Sequence, residues 1–103
     1  MIDKAHCYAW LKRYACSVLN RYAIFDAGVL RIAAEYARVV KADITPRFVR
    51  EVFDALKELE KSGYVQIFST RCIETADNRI ICNLPTNDPY NAHVVIPRAA
   101  VVC

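Results

Sequence analysis

The segment from Thr45 to Val65 constrains the fold most, because the spacing of its apolar residues changes at Gly63. Before Gly63 the apolar residues recur every three or four positions, which indicates one face of a helix; after it Val, Ile, Phe and Thr dominate, which favours strands. Thr45 suits an N-cap, Pro46 the first helical turn and Gly63 a left-handed residue beyond the helix end. We therefore predict a helix over residues 46–61, followed directly by β-structure.

Two further helices are predicted before this one. One covers residues 3–22 with Asp3 as its N-cap, and the other covers residues 27–41 with Asp26 as its N-cap. The apolar arc of the first helix is wide, about half the circumference, and rich in Tyr and Trp. Two interpretations stay open: its own domain buries the helix, or one flank contacts a second copy of the chain. The residues expected in such a homodimer interface are Tyr8, Trp10, Leu11, Tyr14, Val18 and Tyr22.

Two strand-like runs, residues 64–74 and 79–84, predict a β-hairpin. A three-residue loop over residues 76–78 puts Asn in the left-handed position and places Cys72 opposite Cys82. These two cysteines are either a cross-strand disulfide or two small buried hydrophobes. The fold class is therefore α+β, three helices with a C-terminal hairpin.

The chain has 103 residues, of which 55% are hydrophobic and 24% charged, as expected for one folded domain. We assign residues 1–84 to the domain and 85–103 to a C-terminal extension, in which residues 93–96 favour a short strand. No run of about 18 apolar residues is present and the N-terminus lacks an apolar signal core, so we expect an intracellular, cytoplasmic protein with no membrane contact.

The sequence favours no catalytic or cofactor chemistry. It has five cysteines without a CxxC pair, two histidines and only two glycines, so zinc spacings and Gly-rich phosphate loops are missing. No Ser-His-Asp set or paired-carboxylate pattern is evident. We therefore expect a protein that is not an enzyme and that holds no metal, cofactor or small-molecule substrate.

Three blocks of sequence carry a pattern typical of one family: Leu30–Ala37, Ile44–Val49 and Phe53–Val65. The last block contains Leu-x-x-Leu and then a small residue, Gly, an aromatic residue and Val. In this order the blocks resemble the winged helix-turn-helix family, and in particular its small, cysteine-rich members from archaea and archaeal viruses. The chain departs from many members in carrying Ala42-Asp43 where they have a Gly in the turn between helices.

The resemblance implies that the third helix enters the major groove of double-stranded DNA and that the hairpin forms a wing on the minor groove or backbone. It implies a homodimeric regulator of transcription, located in the host cytoplasm if the protein is viral. The physical chemistry agrees, because Arg pairs with guanine and Thr bonds phosphate. The expected DNA-binding residues are Thr45, Arg47, Arg50, Asp54, Lys57, Arg71, Asn78 and Arg79.

A second interpretation stays open, in which the third helix presents a solvated face. Residues 46–62 hold four basic and four acidic side chains, and pairs such as Arg47–Glu51 and Arg50–Asp54 have the spacing at which helical charges neutralise each other. The net charge of +3 is modest. The alternative function is a winged-helix module that binds protein and not DNA, favoured by this near-neutral helix and by the apolar excess of the first helix.

Overall fold

The computed structural model describes residues 2–19, 25–69, 73–74, 80–81 and 85–96. These residues form an α+β fold of three helices and a small three-stranded antiparallel sheet, which confirms the predicted class. In chain order the elements are α1 (Lys4–Leu19), β1 (Phe25–Gly28), α2 (Val29–Val40), α3 (Pro46–Lys61), β2 (Gln66–Phe68), β3 (Ile73–Glu74), β4 (Ile80–Ile81) and β5 (His93–Ile96).

The start of α1 is set by Asp3, as predicted. Its Oδ1 accepts hydrogen bonds from the backbone N–H groups of Ala5 at 3.0 Å and His6 at 3.4 Å, which satisfies two donors at the helix end. The helix is described as far as Leu19, and residues 20–22 of the predicted span lie outside the described residues.

The prediction for the start of the second helix was wrong. We expected it at Ala27 with Asp26 as N-cap, but Phe25–Gly28 form β1 and Gly28 is the N-cap, with no side-chain hydrogen bond. The physical reason is pairing with a distant strand: β1 runs antiparallel to β5, and the Asp26 carboxylate lies 3.2 Å from Nδ1 of His93. Tertiary pairing therefore overrides the local capping preference of Asp.

The ends of α2 and α3 follow local signals closely. Lys41 ends α2 in the left-handed conformation, with φ 57° and ψ 46°, and so takes the place that a Gly fills in many helix C-caps. Thr45 caps α3, because its Oγ1 accepts from the Phe48 N–H at 3.1 Å. The predicted bounds of α3, 46–61, are confirmed, and Gly63 follows with φ 81°.

The sheet corrects the predicted strand pairing. Its order is β1-β5-β2, so β2 pairs with β5 and not with the second strand of the predicted hairpin. Only β3 and β4 form that hairpin, with Ile73 opposite Ile81 and Glu74 opposite Ile80, the register that the three-residue loop requires. Residues 93–96, which we had placed in an extension, form the central strand, because their buried side chains complete the core between β1 and β2.

The core lies between the three helices and the sheet. Trp10 joins α1 to α2 in this core: its ring centre lies 5.3 Å from that of Tyr14, in a stacked arrangement, and 5.1 Å from that of Tyr36, in a tilted one. The Tyr36 hydroxyl lies 2.7 Å from Nδ1 of His6, and burial raises the pKa of Tyr36. No helix in the described part of the chain is long and apolar enough to cross a membrane.

Candidate nucleic-acid interface

The exposed face of α3 is the candidate interface, and the opposite face of the same helix holds it in place. Seven residues of α3 are buried, which fixes the rotation of the helix about its axis: Phe48, Val49, Val52, Phe53, Ala55, Leu56 and Leu59. After Pro46 in the first turn, the other face carries only charged side chains. A helix with one buried stripe and one charged face can present that face to a groove without disturbing the core.

Ion pairs join six of the eight charged side chains of α3. Arg47 Nε lies 3.4 Å from Glu51 Oε1, Lys61 Nζ lies 3.3 Å from Glu58 Oε1, and Lys57 Nζ lies 3.5 Å from Glu60 Oε1. The expected Arg47–Glu51 pair is therefore present. Surface pairs of this kind contribute little to stability, so they constrain the side chains weakly.

The expected pair between Arg50 and Asp54 does not form. Both side chains are exposed, and neither has an ion pair among the residues that the structure describes. The guanidinium of Arg50 lies instead 6.0 Å from the ring centre of Phe53. Asp54 borders the other side of the helix face, where it lines a cleft with Ile2 and Ala55.

Lys57 differs from the other cations of α3 because it is held in place. Its side chain is 33% exposed, against 90% for Arg47. Its Nζ lies 3.3 Å from Oδ1 of Asn87, thirty residues along the chain, and 5.8 Å from the ring centre of Phe53. These contacts tie α3 to the segment that leads into β5, and they do not bear on the expected contact of Lys57 with DNA.

Glu60 has a matching role that sequence reasoning missed. One carboxylate oxygen pairs with Lys57, and the other accepts a hydrogen bond from the Ile67 backbone N–H at 2.8 Å. Together Lys57 and Glu60 connect α3 to β2 and to residues 85–92. The three-residue spacing of Lys57 and Glu60 could have indicated their pairing, but no local signal points to Asn87 or Ile67.

Thr45 lies at the N-terminal end of this face and is exposed. Its Oγ1 accepts the capping bond from Phe48, and its O–H can still donate to a phosphate oxygen. The two expected roles of Thr45, as cap and as phosphate contact, are therefore compatible.

A cleft of about 570 Å³ opens beside the exposed face, between α3 and the residues that precede and begin α1. Its lining is mixed in charge and contains two apolar side chains: Ile2, Lys4, Arg47, Glu51, Asp54, Ala55 and Glu58. Three of the four carboxylates of α3 line this cleft together with Arg47, whereas Arg50 and Lys57 lie toward Phe53.

Arg71, Asn78 and Arg79 of the expected wing lie outside the described residues, as do Cys72 and Cys82, so the structure bears on neither their DNA contacts nor a disulfide.

The residues expected in a dimer interface are placed as follows. Leu11 is fully buried and Trp10 is 8% exposed, so both belong to the core of this chain. Tyr8, Tyr14 and Val18 are partly buried against that core, and Tyr22 lies outside the described residues. For Trp10 and Leu11, the alternative that the domain buries its own first helix is the observed one.

Nucleophile and metal chemistry have little support in the described residues. Cys7 is buried, and burial raises the pKa of its thiol to about 11, so it is protonated at neutral pH. Within the described ranges, no group of three or more His, Cys, Asp and Glu side chains is arranged to hold a metal ion. The exposed face of α3 therefore remains the surface with the clearest chemical character.

Relatives give no independent guide to this surface. No family model, curated protein or solved structure matches this chain. The interface is therefore defined by its geometry: a fixed helix, a capped N-terminus and a charged face on which Arg50 and Asp54 have no ion pair with any described residue. Such a surface can bind a partner that offers both hydrogen-bond acceptors and donors, with negative charge nearby.

Proposed function

We propose that this chain binds double-stranded DNA sequence-specifically, by placing the exposed face of α3 in the major groove. The observation that carries the proposal is this face itself, which is polar along its whole length while seven buried residues fix the opposite side. An α-helix fits the major groove, and base-reading side chains must be polar without needing a large excess of positive charge.

The finer fold assignment belongs to the same proposal: the domain is a winged helix-turn-helix. In support, α2 and α3 pack together and are joined by a short connection over residues 41–45, and a small antiparallel sheet is formed by one strand before these helices and two after them. The hairpin of β3 and β4 is then the wing, with Arg71, Asn78 and Arg79 as its proposed contacts to the minor groove or backbone.

The proposed contacts divide by role. Thr45 and Arg47 lie at the N-terminal end of α3, where the helix dipole also attracts phosphate. Arg50 and Asp54 are exposed and point away from the core, so they are proposed to reach base edges. Lys57 adds positive charge near the backbone, but its main part in this proposal is to hold α3 against residues 85–92.

We also propose that the protein acts as a homodimer that regulates transcription. Two copies related by a two-fold axis would place their third helices in successive major grooves, about one helical turn apart. Tyr8, Tyr14 and Val18 are the partly buried residues of α1 that remain for such an interface, with Tyr22 beside them in sequence.

The test is binding of the full chain to random and promoter duplexes at two salt concentrations. Because phosphate contacts release counterions, an increase of about four-fold in salt should lower the affinity about ten-fold or more. Substituting Arg47 and Arg50 by Ala should weaken binding further while leaving the unfolding free energy within about 0.5 kcal/mol, since both are exposed. Absence of binding to either duplex at low salt would contradict the proposal.

A protein-binding module is the second candidate, and one apolar patch favours it. Val39, Val40 and Ile44, around the connection between α2 and α3, are 46%, 40% and 58% exposed. Large apolar side chains that cluster on a surface often mark a protein interface. Ile44→Ser should abolish partner binding under this alternative and leave DNA binding intact under the first, whereas Arg50→Ala should have the opposite effects.

A further inference from the structure

Two charged side chains of α3 have no ion pair with the described residues, and their chemistry indicates what this face can bind. Residues 46–61 contain four cations and four anions. Three cations pair with three anions, each within 3.5 Å, and the two side chains left without an ion pair in the described residues are Arg50 and Asp54. They are one cation and one anion, separated by one helical turn on the exposed face.

The structure also accounts for why these two do not pair with each other. The Arg50 guanidinium lies over Phe53, 6.0 Å from its ring centre, on the side of α3 that carries Lys57. Asp54 lines the cleft on the other side, together with Glu51 and Glu58. The guanidinium and the carboxylate thus lie toward different edges of the exposed face, and both remain accessible to a ligand bound there.

The chemistry of the two groups is complementary to one kind of base pair. In the major groove a G·C pair presents two acceptors on guanine, O6 and N7, and one donor on cytosine, the N4 amino group. A guanidinium donates two hydrogen bonds to the guanine acceptors, and a carboxylate accepts one from the cytosine amino group. A carboxylate that accepts no such hydrogen bond would only be repelled by the negatively charged phosphates, and this repulsion would weaken binding.

We infer that Arg50 and Asp54 read G·C base pairs in the major groove, and that Asp54 determines the preference for cytosine. The inference rests on the proposed function, because it requires that α3 binds duplex DNA. The three ion-paired cations then contribute mainly to phosphate attraction, which is independent of sequence. Asp54 is the specificity-determining member, since it accepts from cytosine and repels phosphate.

The experiment selects preferred sites from a random-sequence duplex pool with the full chain and two variants. In Asp54→Asn the carboxylate becomes an amide of the same size, which pairs with adenine. The control is Glu58→Gln, which removes the same charge one helical turn from Asp54. Unlike Asp54, Glu58 forms an ion pair, with Lys61. Both variants should bind the unselected pool somewhat more tightly than the wild type, because each loses one negative charge.

The base preferences separate the two variants. We expect the wild type and Glu58→Gln to enrich the same site, which contains a G·C pair, and Asp54→Asn to lose the cytosine preference about ten-fold and gain adenine at that position. If Asp54→Asn enriches the wild-type site unchanged, the inference is overturned while DNA binding stands. If the wild type enriches no site and binds no duplex, the proposed function itself has failed. Both side chains are exposed, so neither variant should change the unfolding free energy.

Discussion

The helices α1 and α3 are both 16 residues long, but they use their surfaces in opposite ways. α1 contacts the rest of the domain around much of its circumference: Trp10 meets Tyr36 of α2, Tyr14 meets Phe25 of β1, and Tyr8 meets Tyr64 beyond α3. α3 buries a single stripe and leaves a continuous charged face in solvent. The comparison teaches that a wide apolar arc does not by itself indicate a partner, because the helices and sheet of the same domain can cover much of it.

The largest expected effect on stability comes from a substitution in the buried face of α1. Leu11 of α1 is fully buried, so Leu11→Ala should lower the free energy of unfolding by about 2 to 5 kcal/mol through lost apolar burial and the cavity left behind. Urea denaturation followed by circular dichroism measures this loss. Arg13→Ala, at an exposed position of the same helix, is the control and should change stability by less than about 0.5 kcal/mol. Equal effects of the two substitutions would mean that α1 does not pack as described.

Alkaline pH provides a second test of how tightly α1 is buried. Burial raises the pKa of Cys7 from 9.0 to about 11, so between these pH values the folded protein keeps the thiol proton while the unfolded chain releases it. Stability should therefore fall as pH rises through this window, by at most about 1.4 kcal/mol for each pH unit from this group. Cys7→Val should show a shallower fall in urea denaturation across the same window. Identical slopes would show that the Cys7 thiol does not contribute.

The N-cap of α3 should have a smaller effect, and it concerns the helix on the other side of the comparison. Thr45→Ala removes the acceptor for the Phe48 N–H and should cost about 1 kcal/mol of unfolding free energy. Thr45→Ser keeps the hydroxyl and should retain wild-type stability, as measured by thermal or urea unfolding. A Ser variant as unstable as the Ala variant would indicate that the threonine methyl group, and not the cap, is responsible.

The smallest expected effect lies in the connection between α2 and α3. Lys41 is left-handed at φ 57°, a conformation that costs a residue with a Cβ about 1 kcal/mol. Gly avoids this cost, but it loses more conformational entropy on folding, which cancels part of the gain. Lys41→Gly should therefore raise the unfolding free energy by about 0.5 kcal/mol. Ala42→Gly, at a position without positive φ, should lower it instead. The account of this turn fails if both glycines destabilise equally.

Local signals made part of the fold predictable. The bounds of α3, its cap at Thr45 and the left-handed Gly63 depend on residues within a few positions of one another, and each was predicted correctly. The N-cap at Asp3 is of the same kind. Such features follow from backbone groups that need partners nearby in sequence.

The sheet could not be predicted in the same way, because its partners are distant in sequence. Asp26 has the character of a helix cap, and only its pairing with His93, on a strand 67 residues away, makes residues 25–28 a strand. The contact of Tyr14 with Phe25 of β1 likewise depends on this distant pairing, so spacing within α1 could not show which of its aromatic residues the domain covers.

For the candidate site, the sequence predicted which residues lie on the exposed face but not which contacts they form. Periodicity places Arg47, Arg50 and Asp54 on the exposed face of α3, and the structure agrees. Which charges pair could not be deduced from spacing alone: Arg50 and Asp54 have the spacing of a pair but lie toward different sides of the helix. The contact of Lys57 with Asn87 depends on the tertiary fold.

The most direct test of the central claim compares one exposed arginine on each of the two helices. Arg50→Ala and Arg13→Ala each remove one positive charge, so they change the net charge of the protein equally. Affinity for a selected duplex, measured by fluorescence anisotropy at fixed salt, should fall about ten-fold for Arg50→Ala and stay within about two-fold for Arg13→Ala. Equal affinities for the two variants would contradict the assignment of α3 as the DNA-binding surface.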